Sequence, residues 1–259
     1  MAFVHSTARF VVAIVLCAAY VLILTHVACA QPVRAHRLVH LFDFEEADDG
    51  NFEDLPIHWY VLGRPSQSSD PAFDTHPLHR DLTRKPGFPR HGDVRFDRPQ
   101  RQRDVNHRLH LGTKGDNVGA FLAIGAVPVV PGSDYLISAN VATTSLDYAR
   151  AHVTAYFITG DGRRIEASVQ RTPEIVTHGK TRLVAVRLMG DHPDAAWLGL
   201  ELDVRQPTAD PTSPLGKHQI EYRDVDGGAW FDDIAVWQVP RVAVDTQSDV
   251  NVVVGPQRQ

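Results

Sequence analysis

The amino-acid sequence predicts an all-β fold of antiparallel strands, a sandwich or a barrel, on three observations. Strand-like runs recur between His107 and Val239, short turn signals separate them, and no stretch sustains a helical period long enough to compete. The composition agrees: of 259 residues, 43% are hydrophobic and 22% charged, the balance of a globular chain able to bury a core. All-β domains often use such a length as one unit.

The chain opens on a targeting pattern. An apolar run from Phe10 to Leu24 follows a short start with one Arg, and Ala28-Cys29-Ala30 precedes Gln31. Ala-x-Ala is the small-residue pattern that signal peptidase accepts, so residues 1–30 are expected to be a leader helix removed on export. Cleavage after Ala30 would take away Cys17 and Cys29 and leave a mature chain without thiol chemistry. Counted on to Ala30, the apolar stretch approaches the roughly 20 residues of a membrane span, so an uncleaved single-pass anchor is the alternative. The expected location is secreted, periplasmic or cell-surface.

"HRLVHLFDFEE" is the first strand candidate, and a turn-rich link leads from it to "HWYVLG". Residues 64–106 are dense in Pro, Arg, His and Asp with little periodicity, which reads as a long irregular insertion. One short strand is expected there around Val94–Phe96, the rest being a mobile decoration. The strands then follow as "HRLHLG", "GAFLAIGAV", "DYLISANVATT", "RAHVTAYFIT", "RLVAVRLM", "AAWLGLELDV", "HQIEYRDV" and "AWFDDIAVWQV". The domain is bounded at 38–242, and 243–259 reads as a tail or the start of a linker.

Alternation within strands assigns faces, because successive side chains point to opposite sides. Leu198, Leu200, Leu202 and Val204 share one face of their strand; Ala151, Val153, Ala155 and Phe157 share one of theirs. Both sets belong in a core. The opposite faces carry Trp197, Glu201 and Asp203, and Arg150, His152, Thr154 and Tyr156. If the two strands lie in one sheet, Trp197, Tyr156, Arg150 and Glu201 share a surface suited to a sugar ring, which offers an apolar C–H face and a fringe of hydroxyls. In "AWFDDIAVW", strict alternation puts Phe231 with Asp233 and Ala235, and Trp230 with Asp232 and Ile234.

The net charge of −5 with 14 His gives no basic field, so nucleic acid is not expected as a partner, nor a membrane other than through the leader. Glu201 and Asp203 lie about 6.5–7 Å apart along a strand, at the lower edge of inverting-glycosidase geometry, but nothing in the pattern marks either as desolvated. His107 and His110 fall on opposite strand faces and make a poor joint metal site. "GTKGDNVG" lacks the Lys-Ser/Thr ending of a phosphate loop, and no nucleophile elbow is present. No motif marks an enzyme. The remaining chemistry is acidic: "FDFEE" offers Asp43, Glu45 and Glu46, and "WFDDI" offers Asp232 and Asp233. Were the first and last strands neighbours, these acids would meet, either as solvated or amide-bonded edge acids or around a calcium ion.

"FDFEE" with "HWYVLG", "VPVVPGSDYLISANVAT" and the closing "GGAWFDDIAVWQVP" together resemble the galactose-binding-like jelly-roll superfamily, in particular carbohydrate-binding modules of the family 4/9, 16 and 22 type. The resemblance covers Leu41 to Val242 and implies a two-sheet antiparallel jelly-roll β-sandwich. It also implies a structural calcium near the first and last strands, with Glu45, Asp232 and Asp233 supplying side-chain oxygens, and sugar binding on the concave face or the loop edge. The 64–106 segment departs from the compact modules. The function expected is an exported, non-catalytic module binding polysaccharide or cell-surface glycan. The alternative is a structural or protein-interaction module of the cell envelope with no sugar site; a glycoside hydrolase using Glu201 and Asp203 ranks behind both.

Overall fold

The longest strand organises one half of the molecule. A computed structural model describes residues 36–47, 51, 54–64, 76–88, 93–97, 106–207 and 224–239. Within them lie strands β1 (Arg37–Phe42), β2 (Trp59–Val61), β3 (Asp93–Asp97), β4 (Arg108–Gly112), β5 (Val118–Leu122), β6 (Asp134–Thr144), β7 (Arg150–Thr159), β8 (Gln170–Arg171), β9 (Arg182–Leu188), β10 (Ala195–Arg205) and β11 (Gly228–Val239), with one α-helix, α1 (Pro77–Thr83). The first sheet runs β3-β4-β11-β6-β9 with β1 also on β11, and the second runs β2-β5-β10-β7-β8. Every pairing is antiparallel.

The facing sides of the sheets share one core. Leu109, Leu111, Ile137, Val141, Phe231 and Ile234 from the first sheet pack with Leu122, Val153, Phe157, Leu198, Leu200 and Leu202 from the second. Alternation in β6, β7 and β10 thus places the core face where the sequence implied, and burial of that face drives the pairing; much of the opposite face of β7 and β10 is covered as well.

The acids of "WFDDI" interrupt this alternation. Asp232 pairs with Asn140 and Ala235 with Ser138, so β11 spends one more residue than β6 over the same span. That is a β-bulge. Asp233 is the extra residue, at φ 45°, and its N–H donates to Asp232 Oδ1 at 2.8 Å. The bulge shifts parity, correcting the strict alternation expected from sequence: Ala229 and Phe231 share the core side with Ile234 and Val236, while Ala235 leaves it. It also marks a change of neighbour. On one edge of β11, residues Gly228–Phe231 pair with β4 and Ile234–Gln238 pair with β1.

Only part of the long insertion is irregular. β3 lies where the sequence placed a short strand, but α1 was not expected, and the stretch around it is packed rather than a mobile decoration. Proline at its start supplies a φ already helical. Leu82 and Phe88 then join Leu62, Phe121 and Ala123 in a second apolar cluster on the outside of the second sheet. Gly63 permits this return: at φ 76° its N–H donates to Leu82 O at 3.0 Å, and a Cβ there would sit 2.2 Å from Phe88 O. The leader, the 243–259 tail and most of "HQIEYRDV" lie outside the described residues. Among those described, no helix is long and apolar enough to cross a membrane.

The bulge makes adjacent residues unequal. Ile234→Ala should lower unfolding free energy in urea by about 2–5 kcal/mol through lost burial and a cavity, whereas Asp233→Asn, at the exposed bulge residue, should change it by under about 0.5 kcal/mol. Equal losses would restore strict alternation and remove the bulge.

Candidate functional site

The outer face of the second sheet has two halves, set by register. Directly opposed residues form a row across all its strands: Tyr60, Phe121, Glu201, Thr154, Arg171. Beside it run Gly119–Asp203–His152 and, on the other side, Gly199–Tyr156. The Tyr60–Phe121 half is apolar and roofed by α1, whose His79 ring lies 6.0 Å from Phe121 and accepts the Ile124 N–H at 2.9 Å through Nε2. The half built from β10, β7 and β8 is polar.

That polar half has a buried floor. Glu201 is 1% exposed and Asp203 0%, a burial that nothing in the sequence pattern marked. Buried carboxylates are costly unless paired, and each is paired from above. Glu201 receives Lys85 Nζ and, at 3.1 Å, Arg164 Nη1. Asp203 takes Arg205 Nε at 2.9 Å and Nη2 at 2.8 Å, a fork-to-fork pair. Asn117 fastens the loop that carries Lys85 to the end of β10, donating to Gly87 O at 2.8 Å and accepting the Gln206 N–H at 2.7 Å.

Tyr156 completes the floor. Its ring lies over Gly199, where a Cβ would meet it at 2.2 Å. The Arg164 guanidinium stacks 4.4 Å from the ring centroid. Burial, and then the negative charge of Glu201, push its phenol well above the usual tyrosine range, so it stays neutral. Burial also lowers His152. Arg171 donates Nε to Thr154 Oγ1 at 3.0 Å.

The residues expected to bind ligand separate accordingly. Tyr156 and Glu201 are brought together, but as buried floor. Trp197, half-buried, lies on the same face of β10 beyond Gly199, opposite Ile158. Arg150 stands at the far end of β7, opposite Arg205. There it pairs with Glu174 at 3.4 Å and lines a separate depression of about 370 Å³ with Leu146, Asp147, Val176 and His178. Lys85, Arg164, Arg171 and Arg205 were missed from sequence, since all four lie outside the strands read for faces.

The acids expected to hold calcium lie where β1 and β4 meet on β11. Glu45 accepts the His107 N–H and faces His107 Nδ1, each at 2.9 Å. Asp232, 6% exposed, accepts Asn106 Nδ2 at 2.8 Å, and burial pushes its carboxyl above the ordinary range. Consecutive residues thus tie Glu45 and Asp232 to one strand entry. Asp233 is turned outward to Asn140 Nδ2 at 2.9 Å. Among the described residues no three of His, Cys, Asp or Glu gather as a metal group. His107 and His110 part, as their spacing implied: His110 stacks on Trp230, ring centroids 4.6 Å apart.

No protein-family model matches the chain, and no curated protein matches it. Solved structures similar to it include several carbohydrate-binding modules. The xylan-binding CBM22-1 domain of Paenibacillus barcinonensis Xyn10C is 12% identical, with 81% of this chain and 99% of that one covered at a TM-score of 0.42. A family 16 carbohydrate-binding module is 13% identical, with 56% and 86% covered at 0.36. The enzymatically active domain of bacteriophage CBA120 tailspike protein 4 is 11% identical, with 69% of this chain and 19% of that one covered at 0.40. The chain therefore spans about a fifth of the tailspike chain.

Gly199 leaves room for the Tyr156 ring and for nothing larger. Gly199→Ala should cost about 1–3 kcal/mol of stability by chemical denaturation, while Gly160→Ala, whose Cβ would meet Ala196 at an ordinary 3.9 Å, should be close to neutral. A silent Gly199→Ala would mean the ring does not lie there.

Proposed function

We propose that the chain is a non-catalytic glycan-binding module whose ligand sits on the polar half of the second sheet's outer face. The observation that carries this is the fixed, buried floor of Glu201, Asp203 and Tyr156, left outside the helix-covered half and capped by Lys85, Arg164 and Arg205, which meet solvent with side chains 21%, 22% and 30% exposed. A sandwich needs no such network on its outside for stability, since buried ion pairs are weak stabilisers. A saccharide does need rigid, outward-facing donors, because pre-organised groups reduce the entropy lost on binding. Trp197 offers a flat apolar surface on the same strand face. Glu201 and Asp203 have cations on both of their oxygens, which supports a binding role over hydrolysis.

The proposal extends to jelly-roll connectivity, supported by the pairing of the first and last strands, and to export through the 1–30 leader, supported by its Ala-x-Ala ending. It includes a structural calcium held by Glu45 and Asp232, completed by the Asn106 amide oxygen and loop carbonyls. Two carboxylates fastened to Asn106 and His107 provide the hard-oxygen chemistry such an ion takes. Asp233 is the weaker ligand, because its side chain is directed to Asn140.

Binding should be measured by glycan array and affinity electrophoresis. Trp197→Ala should weaken binding at least about tenfold, equivalent to about 1.4 kcal/mol, with an unchanged melting temperature. Undiminished binding removes this face, and an empty array alongside a captured protein partner favours the interaction module. The calcium is tested separately. Burial raises the Asp232 pKa in the folded state, so its ionisation opposes folding: the stability due to this group is greatest below the unfolded value, about 3.9, and falls as pH rises through the folded value. In chelator, Asp232→Asn should therefore melt higher than the parent at pH 7, with the gain shrinking toward pH 4. Added calcium should raise the parent's melting temperature and leave the variant's unmoved; a parent indifferent to calcium would remove the ion.

A further inference from the structure

Accepting that reading of the face, we infer that the glycan is an anionic polysaccharide, one carrying carboxylate or sulfate groups. The layer a ligand meets first is cationic. Lys85, Arg164, Arg205 and Arg171 stand over or beside two buried carboxylates, Glu201 and Asp203. The floor thus balances two of four positive charges. The further carboxylate in contact is Glu166, 76% exposed and 3.2 Å from Arg164 Nε, and an exposed pair of that kind is weak and screened by salt. His152, held toward its neutral form by burial, adds little to the excess.

Each cation is fixed on one side and carries spare donors. Arg164 is clamped between Glu201 and the Tyr156 ring, with its Nε facing Glu166 Oε1 at 3.2 Å. Arg205 gives Nε and Nη2 to Asp203 and lies 5.4 Å from the Phe88 centroid. Lys85 lies at the same distance from that ring. Arg171 gives Nε to Thr154. A guanidinium has five N–H donors in a planar fork that matches a carboxylate or sulfate. Held this way, the forks lose little freedom when a ligand docks. A neutral glycan would satisfy donors without offsetting charge, and desolvating the excess charge would then be uncompensated.

The cations form a continuous rim. Arg171 comes from the edge strand β8, but its Nε sits on Thr154, directly opposite Glu201, so its charge stands about one strand spacing, about 5 Å, from those gathered on Glu201. The chain's net charge of −5 makes this a local attraction, not a general affinity for anions.

The test is isothermal titration of the intact chain with matched polymers: polygalacturonate against its fully methyl-esterified form, and dextran sulfate against dextran. The expected result is binding of an acidic polymer at least tenfold tighter than of its neutral partner, weakening as salt is raised. Arg171→Ala should reduce that preference about fivefold or more at unchanged melting temperature, with Arg171→Lys partly restoring it. Arg182→Ala, on the other sheet, should leave it intact. Equal or tighter binding of the neutral polymers overturns the inference and leaves the glycan reading standing. Acid binding that Arg171→Ala and Arg182→Ala reduce alike also overturns it, as unspecific ion attraction. Failure to bind any polymer, charged or neutral, removes both.

Discussion

Burial of Glu201 and Asp203 on the outside of a sheet is the constraint around which the second half of the molecule is arranged. A carboxylate taken out of water is tolerable only when a cation follows it. The cations come from three places remote in sequence: Lys85 after α1, Arg164 from the loop after β7, and Arg205 at the end of β10 itself. Each recruits structure of its own. Lys85 draws the helical part of the insertion against the sheet, and Arg164 presses Tyr156 onto Gly199. A helix as short as α1 would not persist alone. It persists because Leu82 and Phe88 bury apolar surface on one side and Lys85 meets a carboxylate on the other.

The bulge at Asp232 and Asp233 plays the corresponding part in the first sheet. β11 spans two partners on one edge, β4 and then β1, and the extra residue falls where one gives way to the other. Without the shift in parity, either Phe231 or Ile234 would be turned to solvent. With it, both halves of the strand present apolar residues to the core, and the Asp233 N–H is satisfied by Asp232 Oδ1, whose partner oxygen accepts from Asn106 Nδ2.

Much of this was legible in sequence, for identifiable reasons. "DYLISANVATT" and "RAHVTAYFIT" are strands from end to end because one face of each is wholly buried, and burial imprints a period of two. The meeting of "FDFEE" with "WFDDI" followed once the first and last strands were taken as neighbours. The bulge also left a trace: Phe231 and Ile234 are three apart, an odd spacing that no unbroken strand allows for two residues on one face. The charge network left none. Its members are dispersed along the chain, and an Asp or Glu alternating on a solvated strand looks the same as one roofed by an arginine. The helix was hidden by its brevity, since Pro77 with Leu78 and Leu82 makes only a single turn of apolar spacing.

The division of the outer face into an apolar, roofed half and a polar, open half follows from one choice of residues in one row. Tyr60 and Phe121 demand cover, and α1 supplies it. Glu201, Thr154 and Arg171, continuing the same row, demand counter-charge and hydrogen bonds instead, and those are supplied by long side chains that cover the floor while their own tips meet water. Long cationic side chains cover buried carboxylates while keeping their tips in water. The insertion therefore narrows the available face without closing it, and what remains is rimmed by guanidiniums. On the glycan reading proposed above, charge on the rim, more than the floor beneath, would decide which saccharide is admitted, because the floor is buried under the rim.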